Sequence, residues 1–420
     1  MVSKIKVTLK PHQLLMKEFL LTHKHACLFC EAGTGKTFPT IEAINEVAKD
    51  GNILIVSTKN VIENMWKKDI DKYYDLPKNT TLINFERCIG SMYKELCAKR
   101  WRVIVVDECH KVKGHNSKIS KFVHRISANA EYVWGLTGTP RGNTDIDIFC
   151  IFRHLHIDGW GGTSYTTFVD QYCACEEKFF GARTFKIPVG IREPYKNAWD
   201  KCVLANSFKY TLDDLRRDYE DVKLKALKEP NVITIPYEKT ELYNNAIKGI
   251  IDIQEEKETM TKLSAILKAH QACNGYIYLE DGAVQEIEQE NLKLSYISNL
   301  PDKKMIIVYR FNQDKEVLLK AYKDATDDYD LFKSGKYRYL LLQCNKCEGL
   351  NLQECTRIVF YTMDYSYIKF NQIYHRIYRI GQTNDINIDI LIYKGTIEQN
   401  IWWAVKGKHT LSNLFFSIGK

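Results

Sequence analysis

Short apolar runs recur along the chain, each closed by a turn and followed by a stretch of helix-like spacing. Ile53–Val56, Val103–Val106, Met305–Val308, Tyr339–Leu342 and Ile358–Tyr361 are examples. Runs this short, rich in β-branched residues, predict strands buried on both faces, as in a parallel sheet. Strand then helix, repeated, predicts an α/β doubly wound architecture. The runs form two groups, before residue 140 and after residue 300. Between them, residues 141–205 are irregular and aromatic-rich, with Phe149, Phe152, Trp160, Tyr165, Phe168, Tyr172, Phe179, Phe180, Phe185 and Trp199. Residues 207–228 are charged and predict helix. Residues 239–272 carry apolar positions at helical spacing (Leu242, Ala246, Ile250, Ile253, Leu263, Ile266, Leu267). Pro230 interrupts a helical pattern. The expectation is two α/β lobes, residues 1–228 and 229–420, with an insertion over 141–228 in the first.

Length agrees, since 420 residues exceed the usual single domain. The formal net charge of +8 suits a polyanionic partner without identifying one. No stretch reaches the length of a membrane span, and the start, Met1–Lys6, has no apolar core of signal-peptide size. The 13 cysteines, scattered along a long chain, predict reduced thiols and a cytoplasmic location.

The first candidate for chemistry follows the strand-like Ala26–Cys30. Glu31-Ala-Gly-Thr-Gly-Lys-Thr37 leads into a helical stretch from Pro39 to Val47. Glycines let backbone N–H groups wrap phosphates, and a helix N-terminus adds positive potential. Gly33, Thr34 and Gly35 would form the cradle, Lys36 would reach the β- and γ-phosphates of ATP, and the Thr37 hydroxyl would ligate Mg²⁺. Cys30 occupies the place where the strict loop pattern has a first glycine. The strand Val103–Val106 then presents Asp107 and Glu108 at its C-terminal end, beside the phosphates in such a sheet. Asp107 would hold Mg²⁺ and Glu108 would polarise the attacking water. Thr137-Gly-Thr-Pro140 closes another strand, with hydroxyls suited to sensing the γ-phosphate.

These blocks resemble helicase superfamily 2, and in detail its Snf2-like branch. Leu9–Gln13 looks like the adenine-reading motif, with Gln13 as reader. Leu54–Thr58 through Trp66, and Leu82–Glu86, match blocks that touch the tracked strand in that family. Asp107–His110 continues through Lys111 and Lys113 to Ser117 and Lys118 as the branch does, and Thr137–Pro140 is followed by Asn143. Leu215–Arg217 with Asp221 and Val222 keeps a family spacing, although Tyr219 replaces its lysine. In the second half, Met305–Phe311, Glu348–Leu352 and Gln372–Gln382 resemble successive C-terminal motifs, the last being the most diagnostic, and Thr396–Lys406 resembles the closing helix. Asp364–Tyr367 departs from the family's aromatic turn. The match runs from Leu9 to about Leu411.

The resemblance implies two RecA-like lobes in tandem and an ATP-dependent DNA translocase or helicase. It implies that Gln372, Arg376 and Arg379 complete the ATP site from the second lobe; spacing alone puts the two arginines on one helical face. Thr58, Lys59, Asn60, Lys111, Lys113, Arg310, Asn345 and Lys346 become candidate contacts to the DNA backbone. The chain is short for this branch and looks like the compact helicases of bacteriophages, some of which act on branched DNA. An RNA-stimulated ATPase and a non-catalytic nucleic-acid-binding scaffold are the rival readings. The insertion's aromatics would either stack on bases or form a core of their own. Cys27/Cys30 and Cys344/Cys347 fit buried strand positions better than zinc, and His154, His156, Cys173 and Cys175 are a looser candidate metal set.

Overall fold

The computed structural model describes residues 7–48, 50–141, 144–180, 183–256, 259–279, 281–301, 303–347 and 350–407. Asn143, Glu348, Gly349 and the stretch toward Leu411 lie outside the described residues. Two compact units divide at Val222–Lys223, apart from Phe179–Thr184 and Glu348–Leu350.

The first unit holds strands β1 (His25–Cys30), β2 (Ile53–Ser57), β3 (Thr80–Asn84), β4 (Val103–Asp107) and β5 (Tyr132–Leu136), a hairpin of β6 (Cys173–Phe180) and β7 (Arg183–Ile191), and β8 (Ser207–Tyr210). Its main sheet has the order β3-β2-β4-β5-β1-β8, every pair parallel. In the second unit, β9 (Asn231–Ile235), the short pair β10 (Tyr276–Tyr278) and β11 (Val284–Glu286), then β12 (Met305–Tyr309), β13 (Ala325–Thr326), β14 (Tyr339–Gln343), β15 (Arg357–Phe360) and β16 (Asn387–Tyr393) follow. Its parallel sheet runs β13-β14-β12-β15-β16-β9. Two parallel six-stranded sheets with helical crossovers are two RecA-like lobes, the architecture the sequence predicts. The central strands β2, β12 and most of β4 are fully buried, which is why they read as unbroken apolar runs.

The region between the sheets differs from its sequence reading. The described residues of this region form helices Ile146–His154, Tyr165–Tyr172 and Glu193–Asn206 and the paired strands β6 and β7. The stretch expected to be helical from 207 begins instead with β8, which pairs with β1 and extends the first sheet. Helix there is limited to Leu212–Asp218, started by reciprocal bonds between Thr211 and Asp214. The aromatics form a core: Phe149 stacks on Phe168 with centroids 3.7 Å apart, Trp160 stacks on Tyr172 at 4.6 Å, and Trp199 is fully buried. Phe149, Phe152, Phe168 and Trp199 are buried and out of reach of bases, while Trp160, Tyr165 and Tyr172 are half-buried. The side chains of Phe179, Phe180 and Phe185 lie outside the described residues. The helical spacing over 239–272 resolves into Glu241–Glu256 and Thr259–Cys273. Among the described residues no helix is long and apolar enough to cross a membrane.

Candidate ATP site and nucleic-acid interface

β1 delivers the glycine loop to the helix Thr37–Val47. Gly33 and Gly35 adopt φ of 92° and 80°, which a side chain would strain, so glycine at these places is a backbone requirement. Thr34 ties the loop to its own start through its amide (3.3 Å) and hydroxyl (2.8 Å), both donating to the Glu31 carbonyl. Lys36 Nζ curls back to donate to the carbonyls of Cys30 (2.6 Å) and Glu31 (3.0 Å), and Thr37 opens the helix whose N-terminus points its amides at the loop. Gln13 packs on the loop as well. Its Oε1 accepts from the Lys10 amide at 2.9 Å and its Nε2 donates to the Gly35 carbonyl at 3.0 Å. A Cβ on Gly35 would sit 2.4 Å from that nitrogen.

Sequence reading missed the support behind this loop. The ring of buried His12 contacts the Thr34 carbonyl through Nε2 (3.0 Å) and the Tyr219 hydroxyl through Nδ1 (2.7 Å), and it stacks on Tyr210. Tyr219, the departure from the family's lysine, therefore braces the phosphate loop through His12. Glu31 joins the same support by accepting from the Leu212 amide at 2.8 Å. No local string announces these pairings.

At the end of β4, Asp107 Oδ1 accepts from the Glu108 amide (2.9 Å), and Oδ2 accepts from the Trp66 indole (2.8 Å) and the Ser57 hydroxyl (3.3 Å). Burial and the neighbouring Glu108 charge hold the Asp107 carboxyl above the usual range, against the opposing pull of the Trp66 bond and Lys36. A carboxylate in that condition fits a cation. Glu108 is one of two non-glycine residues with positive φ among the described residues (54°), and its Oε2 lies 3.2 Å from His110 Nδ1. That nitrogen also lies 3.1 Å from Thr137 Oγ1, so the third block is joined to the second through His110. Among the described residues no group of three or more His, Cys, Asp or Glu side chains is arranged to hold a metal. A site of one carboxylate and one hydroxyl suits Mg²⁺, which keeps waters and takes further oxygens from substrate phosphates.

In the second unit the arginines depart from their predicted setting. The helix Tyr367–Tyr374 carries Gln372 but ends before Arg376 and Arg379, which follow in tightened turns. The amides of Arg376 and Ile377 bond three residues back, and Gly381, at φ 97°, turns the chain away. Gln372 Nε2 and Arg376 Nε are both buried donors without a partner among the described residues. Such donors are costly unless something accepts from them, and a phosphate oxygen fits both. Arg379 Nε donates to the His375 carbonyl at 2.8 Å.

The expected DNA contacts divide. Lys59, Asn60, Lys111 and Lys346 are exposed. Thr58 is buried, with its hydroxyl unpartnered. Lys113 lies 3.9 Å from Asp147. Arg310 is ion-paired with Asp364 and its guanidinium lies 4.2 Å over the Tyr365 ring, while Asn345 accepts from Lys369. The turn that departs from the family thus neutralises Arg310.

The looser metal candidates are not assembled for a metal. His154 is 1% exposed with both ring nitrogens unpartnered among the described residues, and His156 Nε2 bonds the His124 carbonyl at 2.9 Å. Burial pushes the Cys173 thiol up to about 12, and Cys175 donates to the Cys173 carbonyl. In the cysteine pairs, Cys30 donates to the Phe208 carbonyl and Cys344 to the Thr362 carbonyl, the behaviour of protonated core thiols. Burial, followed by neighbouring charges, pushes the His154 pKa from 6.5 down to about 3. The unfolded chain then takes up the proton first, so stability should fall as pH drops from 6.5 toward 3, at up to about tenfold in the unfolding constant per pH unit. His154→Leu should raise unfolding free energy by roughly 1–3 kcal/mol and flatten that acid limb, as read by denaturant melts at pH 7 and pH 5.

Comparison with known proteins gives consistent matches. The profile of the SNF2-related domain matches residues 78–275. The Bacillus subtilis protein YwqA, named for an ATP-dependent helicase/translocase, is 24% identical over 97% of this chain and 49% of its own length. The Bos taurus DNA annealing helicase and endonuclease ZRANB3 is 21% identical over 97% of this chain and 40% of its own length. The chain thus spans about half or less of these relatives. The Pyrococcus furiosus Hef helicase domain shares the fold, with a TM-score of 0.50 at 12% identity, over 94% of this chain and 98% of that domain.

Proposed function

We propose that this chain, which is similar to SNF2-related proteins, is a superfamily 2 DNA-stimulated ATPase that converts ATP hydrolysis into movement along or remodelling of DNA. The observation that carries the reading is the pair of buried unpartnered donors, Gln372 Nε2 and Arg376 Nε, in a chain whose other unit presents the glycine loop with Asp107 and Glu108. Gly33–Lys36 bind the triphosphate, with Gln13 beside the loop to read adenine. Thr37 and Asp107 are the residues suited to Mg²⁺, which when bound neutralises phosphate charge. Glu108 takes the proton of the attacking water. Arg376, assisted by Gln372 and Arg379, stabilises charge on the transferred phosphoryl group. Movement along DNA follows if each unit's grip on the backbone changes over the cycle.

Thr58, Lys59, Asn60, Lys111, Lys113 and Lys346 serve the DNA backbone, so binding is salt-sensitive and indifferent to sequence. Arg310 and Asn345 join them only where Asp364 and Lys369 release them. DNA is preferred to RNA because the Snf2-like details run through both halves, and ZRANB3 is named for DNA annealing. None of the thirteen cysteines is in a disulfide, which suits the reducing cytoplasm. Steady-state ATP hydrolysis should be measured without nucleic acid and with single-stranded, duplex and forked DNA and RNA. Stimulation by DNA is expected. Stimulation by RNA alone would overturn the substrate assignment, and no hydrolysis under any condition would favour a binding scaffold.

A further inference from the structure

Ser57 and Trp66 donate to the same oxygen of Asp107, Oδ2, at 3.3 and 2.8 Å. Between them in sequence lies the segment that carries Thr58, Lys59 and Asn60. It leaves the C-terminal end of β2, makes the three-residue helix Lys59–Val61, and passes into a π-helical turn, Ile62–Trp66. Both ends are therefore clipped to one carboxylate oxygen. The clip is rigid: Ser57 and Trp66 are 0% exposed, and the indole has only two side-chain torsions. The middle is open, since Lys59 and Asn60 are exposed. Thr58, 8% exposed, holds a hydroxyl with no partner among the described residues. A π turn is an uncommon conformation that collects at functional positions.

We propose that Trp66 is a positioning residue that couples engagement of a DNA strand at Thr58–Asn60 to the Asp107 carboxylate. The inference rests on the DNA-stimulated ATPase reading. A backbone phosphate that draws on the Thr58 hydroxyl and the exposed Lys59 and Asn60 pulls on a loop whose two ends meet at Oδ2. The Ser57 and Trp66 bonds then set the plane of the carboxylate, while the Glu108 amide fixes Oδ1. Because Glu108 follows directly, the adjustment also reaches the group that faces water. Trp66 touches neither DNA nor ATP in this scheme; it passes strain from one to the other.

Trp66→Phe keeps a large ring in the core and removes the N–H. Four quantities decide the matter: ATP turnover with and without duplex DNA, DNA affinity by fluorescence anisotropy without nucleotide, Mn²⁺ affinity with ADP from the EPR signal of free Mn²⁺, and the melting curve. The ratio of stimulated to basal turnover should fall at least about tenfold, the size of an ordinary coupling free energy. DNA affinity should hold, and Mn²⁺ affinity should lose the dependence on DNA that the unaltered protein shows. A merely structural tryptophan would lower stability without moving that ratio. A folded variant with an unchanged ratio and an unchanged DNA effect on Mn²⁺ binding would overturn the coupling alone. An unaltered protein that no DNA stimulates would instead overturn the functional reading beneath it. Should Trp66→Phe not fold, Ser57→Ala removes the other donor from Oδ2, and an unchanged ratio there overturns the proposal equally.

Discussion

Arg376→Ala should lower the rate of ATP turnover by about 10³–10⁵, while ATP affinity changes far less. The guanidinium brings a buried Nε with no partner among the described residues, so its loss should remove a donor suited to an incoming anion. The backbone around it is held independently, because its carbonyl accepts from the Leu352 amide at 3.0 Å. Truncation should consequently leave the second sheet folded and the glycine loop, in the other unit, untouched. Single-turnover hydrolysis and fluorescent-nucleotide binding separate the two effects: a loss confined to turnover marks an interaction made in the transition state. Turnover within about tenfold of the parent would remove Arg376 from the site.

Glu108→Gln should cost about 10²–10⁴ in turnover, again with nucleotide binding preserved. The substitution keeps size and the capacity to accept from His110, whose Nδ1 lies 3.2 Å from Oε2. It also leaves the left-handed turn in place, since the Glu108 amide bonds Asp107 and its carbonyl accepts from the Lys111 amide at 2.9 Å. What it removes is a base for the attacking water. Had Glu108 been only a partner for His110, glutamine would serve as well and turnover would survive. A non-glycine residue held at φ 54° costs of order 1–3 kcal/mol, a strain expected where backbone geometry serves a site.

The legible parts of this protein are those whose cause is local. β2, β4, β12 and β14 are covered on both faces and therefore stand out as apolar runs. β16 hides because Asn387 and Asp389 break its run, although Asp389 is 1% exposed and neutralised by Arg357 on the neighbouring strand. β3 is mostly half-buried at the sheet edge, and β8, Ser207–Tyr210, mixes Ser and Lys with its rings, so neither carries a strong pattern. The glycine loop and the Asp107–Glu108 pair are likewise legible, since each is a contiguous string with a mechanical reason. The connections that make them a site are not. Trp66 meets Asp107 across 41 positions and His12 meets Tyr219 across 207, and only the folded sheet brings them together. The end of the helix before Arg376 was equally hidden, because Gln372–Arg379 keeps helical spacing while the backbone tightens into turns.

Motion along DNA is the claim on which the rest depends, and displacement of a third strand from a DNA triplex measures it directly. Displacement should require ATP, fail in Arg376→Ala and Glu108→Gln, and need duplex leading into the triplex. Vigorous DNA-stimulated hydrolysis with no ATP-dependent displacement from any duplex flank would contradict it.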